Sequence, residues 1–139
     1  MRAHAVRLTP GTDLKAELER LTRAHAWRAA CILSGVGSLS RARLRLPTAA
    51  GEPEVFAVYE EPMEILALAG TLSPDGLHVH ASLARCDGAV VGGHLVHGCV
   101  IRTTAKLVIG DLPDLAFRRR PDPATGYDEL SVERRGSEN

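Results

Sequence analysis

The sequence predicts an α+β fold: a single domain, mostly antiparallel β-sheet, with one main N-terminal amphipathic helix. Three observations predict it. Only residues 13–26 repeat their apolar positions with a helical period. From about residue 50 onward the chain alternates in short stretches cut by Gly, Pro and Asp turns. At 139 residues, 45% of them apolar, the chain is long enough for one real core and shows neither a linker nor an internal repeat.

The elements follow in order. Residues 4–8 alternate and read as a first strand, and Thr9-Pro10-Gly11 reads as a turn. Thr12 is the expected N-cap, with Asp13 in the first turn, where negative charge suits the helix dipole. Leu14, Leu18, Leu21 and His25 then form one apolar stripe, and His25 reads as a packing residue at the helix end. Ala29–Leu33 is a buried strand ending in Ser34-Gly35-Val36-Gly37-Ser38. Those glycines start a dinucleotide-binding pattern, but position 40 is Ser and no helix pattern follows, so they read as a tight bend. Arg41, Arg43 and Arg45 alternate with Ala42, Leu44 and Leu46 as a half-exposed strand.

Residues 47–53 form a loop, residues 54–60 alternate, and Met63–Leu72 is a longer strand with Glu64 near its start. Ser73-Pro74-Asp75-Gly76 has turn chemistry, Leu77–Leu83 is a strand, and Cys86-Asp87-Gly88 is a turn. Ala89–Ile101 reads as a strand interrupted at Gly92-Gly93, and Thr103–Ile109 continues the sheet. Residues 118–122 and 125–127 read as loop. The expected domain spans residues 1–132, with 133–139 a frayed tail.

Composition narrows the function. Lys plus Arg and Asp plus Glu each total 17, so the basic excess that nucleic-acid binders use is missing. Such a neutral chain is compatible with self-association. The longest apolar runs fall far short of a membrane span, and the first residues carry no secretory pattern, so the expected location is cytoplasmic with no membrane partner. Three cysteines without a CxxC pair argue against a disulfide framework or a zinc knuckle, and each reads as a small buried residue.

His78 and His80 stand two apart in a strand, so both rings face the same side, roughly 6–7 Å apart along the chain. Imidazole suits divalent metals, and a catalytic zinc site takes three protein ligands and keeps one position open. A two-residue turn at Asp87-Gly88 sets His78 opposite His97. One extra loop residue, or a bulge at Gly92-Gly93, sets His80 opposite His94 instead. Spacing alone leaves both registers open, and two partly exposed histidines with no metal remain the plain alternative.

Glu64-Ile65-Leu66, Gly70-Thr71-Leu72, Asp75-Gly76-Leu77-His78-Val79-His80 and Asp87-Gly88 through Gly92-Gly93-His94-Leu95 closely resemble the plants-and-prokaryotes-conserved (PPC) domain family. Gly11–Leu14, Leu33–Ser38, Phe117-Arg118 and Thr125-Gly126-Tyr127 extend the resemblance over nearly the whole chain. The resemblance, to the prokaryotic branch in particular, implies a homotrimer and a divalent metal, zinc first, held by His78, His80 and His94, with His97 a bystander. The fold it implies is also similar to that of acetolactate decarboxylase, a three-histidine zinc enzyme, a likeness that carries little weight for chemistry.

Glu64 is the glutamate of the Glu-Ile-Leu motif. Its carboxylate is a candidate general acid/base beside a metal-bound water, with a backbone or subunit anchor as the alternative. Three functions compete. One is a metal-dependent enzyme or sensor for a small molecule, of lyase or hydrolase type if it does chemistry, with Arg45, Arg85 and Arg102 as candidates for holding an anion. Another is a DNA-associated regulator, as many family members are labelled; the chain has no Arg-Gly-Arg hook, so direct DNA binding is not expected without a partner. The last is a trimeric interaction module with a structural metal.

Overall fold

The computed structural model describes residues 1–136. The strands are β1 (Arg2–Leu8), β2 (Ala30–Leu46), β3 (Val55–Tyr59), β4 (Met63–Ser73), β5 (Gly76–Ala84), β6 (Val90–Leu95), β7 (Val100–Asp111), β8 (Leu115–Asp122) and β9 (Tyr127–Arg134); helix α1 spans Leu14–Ala24. The predicted architecture holds: one domain, antiparallel throughout, with one short helix.

β2 organises the sheet. The two stretches read as separate strands are one strand of 17 residues that changes partners along its length. Its first half pairs with β7 and β4, and its second half with β3 and β6. Irregularities at Ile32/Ser34, Gly37/Leu39 and Leu39/Arg41 let it bend between the two sets. The strand order is β1-β7-β2-β4-β5-β6, and β6 also returns to β2, so β2, β4, β5 and β6 close a ring. Leu39, Leu44, Met63, Leu72, Leu83 and Leu95 fill its interior, each at most 2% exposed. Burial of each such side chain contributes about 1.5–3 kcal/mol before entropy is counted. Residues that alternate with these face outward, among them Arg45, His78 and His80.

Leu14, Leu18 and Leu21 are buried as their spacing predicts. The N-cap is Asp13 rather than Thr12: Asp13 Oδ1 accepts from Ala16 N at 2.9 Å, while the Thr12 hydroxyl donates to Thr9 O. The other Asp13 oxygen accepts from Gly98 N at 2.6 Å, which pins the β6–β7 connection to the helix start. This contact explains why the predicted strand 89–101 breaks after Leu95 and not at Gly92-Gly93. Residues 118–127, read as loop, lie in the β8–β9 hairpin, and β9 carries pairing through Arg134, into the segment expected to fray. Residues 137–139 of that tail lie outside the described residues. Of the cysteines only Cys99 is buried; Cys31 is intermediate and Cys86 exposed. Among the described residues no helix is long and apolar enough to cross a membrane.

Candidate metal centre

The register that sequence left open is set by the β5–β6 loop. Arg85 N donates to Ala89 O at 2.8 Å, leaving Cys86-Asp87-Gly88 as a three-residue loop closed by Gly88 at φ +81°. Asp87 Oδ1 supports it by accepting from Ala89 N. The extra loop residue places His80 opposite His94, and pairing runs without a break from there to Ala84 opposite Val90. Gly92-Gly93 therefore forms no bulge. A Cβ on Gly93 would meet Arg45 O at 2.8 Å, and one on Gly92 would meet Ala81 O at 2.8 Å. The two glycines let β6 fit tightly between β5 and β2, so that His94 lies beside both His80 and Arg45.

Three rings from two adjacent strands thus converge. Ring centroids lie 5.0 Å apart for His78–His80 and His78–His94, and 5.6 Å for His80–His94. The Nε2 atoms of His78 and His80 are 3.1 Å apart, and one nitrogen from each of the three rings lies within 4.8 Å of the others. Nitrogens bound to one tetrahedral zinc stand about 3.3 Å apart, which this spacing approaches. His94 Nδ1 is buried without a hydrogen-bond partner. Burial, followed by the charge of Arg45, lowers the His94 pKa to about 4. Burial and the neighbouring His80 also hold His78 below its ordinary 6.5. Both rings are therefore neutral at pH 7, the form that binds metal. The donor set fits a divalent ion such as zinc.

The other expected residues lie elsewhere. His97 points to α1, its Nε2 3.0 Å from Glu19 Oε2. Glu64 is exposed and pairs with Ala84, four residues along β5 from His80, about 13 Å by strand rise, so it does not join the histidines of its own chain. Exposure also removes any need for a buried partner. Arg85 forms a two-pronged pair with Glu61 at 2.8 and 3.1 Å, and Arg102 is exposed on β7. Arg45 alone of the three proposed arginines lines the hollow at the histidines, together with Leu46, Pro47 and Gly93. Sequence reasoning missed Arg119, whose Nη1 lies 3.3 Å from His78 Nδ1, because its segment read as loop.

A ring of antiparallel strands presenting three converged histidines defines a small β-domain with a metal-competent surface site. The chain belongs to the Plants and Prokaryotes Conserved (PCC) domain family, whose profile matches residues 1–113; this is the family its motifs resemble. Among curated relatives, the bifunctional protein GlmU of Synechococcus sp. (strain JA-2-3B'a(2-13)) is 49% identical over 133 residues, covering 96% of this chain but 20% of that protein. The chain thus spans about a fifth of the length of the GlmU proteins it matches. The AT-hook motif nuclear-localized protein 21 of Arabidopsis thaliana is 29% identical, over 87% of this chain and 43% of that one. A hypothetical protein from Salmonella enterica has a solved structure with TM-score 0.90 and 38% identity, covering 97% of this chain and 95% of that one. A metal-containing protein from Archaeoglobus fulgidus gives TM-score 0.81 and 27% identity, with 94% of each chain covered.

Proposed function

We propose that the protein is a metal-binding PCC-domain protein in which His78, His80 and His94 hold one divalent ion, zinc first, that acts on or senses a small molecule. The convergence of three imidazoles, with His78 and His94 held neutral, carries this reading. The metal-containing Archaeoglobus relative supports it. Among the described residues no further His, Cys, Asp or Glu joins the group, which favours an open position over a closed structural site. A zinc there would lower the pKa of a bound water toward neutrality. The chain's own residues do the rest: the three rings would orient the ion, and Arg45, held by Glu54, lines the hollow beside them.

In this proposal the domain works as a cytoplasmic homotrimer. Leu33, Val36 and Val108 support self-association, since they are exposed on a side of the sheet that turns away from the core. Glu64 is kept as an acid/base only across a subunit boundary, where it would serve a neighbouring chain's site. A lyase reading by likeness to acetolactate decarboxylase rests on fold analogy alone. The DNA-associated alternative draws on the AT-hook relatives, and the zero net charge argues against direct DNA contact.

The test is metal analysis of the purified protein beside His78→Ala and His94→Ala. The proposal expects about one ion per chain, lost in both variants while the oligomer persists. Variants that keep their metal would overturn the ligand assignment.

A further inference from the structure

The family profile ends at residue 113, yet the β8–β9 hairpin beyond it reaches the metal centre. Asp75, in the turn just before His78, clasps the hairpin: its carboxylate accepts from Arg119 N at 3.2 Å and from Arg118 Nη1 at 3.5 Å. Arg119 is thereby set against the cluster, with its guanidinium on His78 Nδ1. Its strand partner Leu130 lines a hollow of about 320 Å³ with Ala69, Gly70, Thr71, His78 and His80. Tyr127, at the start of β9, shares a second hollow with Arg45.

The arginines near the site differ in what they hold. Arg45 is paired with Glu54 at 2.8 Å, Arg118 with Asp75, and Arg120 with Glu133. Among the described residues, Arg119 has a neutral imidazole as its guanidinium's partner and no carboxylate within pairing distance. A guanidinium only donates, so His78 Nδ1 must accept and His78 Nε2 must carry the proton toward His80. A histidine that gives Nε2 to a metal carries its proton on Nδ1 instead. Two donors would then face each other, which would free Arg119 for another acceptor.

Resting on the metal reading above, we infer that the hairpin makes this a carboxylate-binding metal site, with Arg119 selecting small carboxylic acids that have a short apolar body. Arg119 supplies a fork that matches a carboxylate, and Ala69, Gly70 and Leu130 supply the apolar wall. One free guanidinium suits a monoanion better than a phosphate dianion.

The experiment loads the full chain with cobalt(II), whose visible absorption reports on its ligands, and titrates it at fixed ionic strength with butanoate, butanamide and inorganic phosphate. Wild-type protein is expected to bind butanoate at the metal and to bind the neutral amide far more weakly. Arg119→Gln should take up cobalt normally yet bind butanoate about tenfold more weakly, with partial recovery in Arg119→Lys. Arg120→Gln, whose guanidinium holds Glu133 and not the cluster or its Asp75 clasp, should match wild type. Equal butanoate binding in wild type and Arg119→Gln would overturn the inference, and phosphate binding tighter than butanoate would overturn the choice of carboxylate. A wild-type chain that takes up no cobalt sinks the metal reading and this inference with it.

Discussion

The low pKa of His94 gives the metal-free fold a specific acid sensitivity. An ordinary histidine titrates near 6.5, whereas burial and Arg45 bring His94 to about 4. Between those values the unfolded chain binds a proton that the folded chain refuses, so stability is full above about pH 6.5 and falls as the pH drops toward 4. A drop of that size corresponds to about 3 kcal/mol, and partial exposure of His94 to solvent reduces it to about 1–2 kcal/mol. His94→Gln removes the titrating group while keeping a polar side chain of similar reach. Thermal unfolding followed by circular dichroism in excess chelator, at pH 7.5 and pH 4.5, isolates the effect as a difference of differences, because carboxylates titrate in both proteins. The wild type should lose about 4–8 °C more than His94→Gln on acidification, as expected for a domain of this size. Parallel losses in the two proteins would refute the claim that a buried, neutral His94 is built into the fold.

Two further outcomes are expected. A Cβ on Gly70 would meet His78 O at 2.0 Å and Val79 Cα at 2.6 Å, so Gly70→Ala should push β5 outward. Chemical denaturation should show about 1–3 kcal/mol of lost stability, and metal titration a weaker site, whereas wild-type values in both would show the strands are not held that closely. Val36→Asp, on the exposed apolar side of the sheet, should convert the proposed trimer to monomers in analytical ultracentrifugation without changing the circular dichroism spectrum. An undisturbed trimer would place the subunit contact elsewhere.

Much of this fold is legible in the sequence because one-sided burial leaves a period. Leu14, Leu18 and Leu21 mark the helix, and the apolar run from Met63 to Leu72 marks β4. The β8–β9 hairpin leaves a weaker mark: Arg118, Arg119 and Arg120 follow one another without alternation, and the apolar face of β9 is only Leu130 and Val132. That is why Arg119 escaped notice while His78 and His80 did not. The break between β6 and β7 was invisible for a different reason. It depends on the Asp13 carboxylate reaching Gly98, 85 residues away, which no local pattern encodes. The histidine register was legible only as two alternatives, and a single loop residue decided between them.

X-ray absorption of the zinc-loaded protein addresses the shared ion most directly. Three imidazole nitrogens at about 2.0–2.1 Å, with one further light atom completing the shell, is the expected result. A sulfur scatterer at about 2.3 Å, or a shell without the multiple scattering of imidazole rings, would contradict the assignment of the ion to His78, His80 and His94.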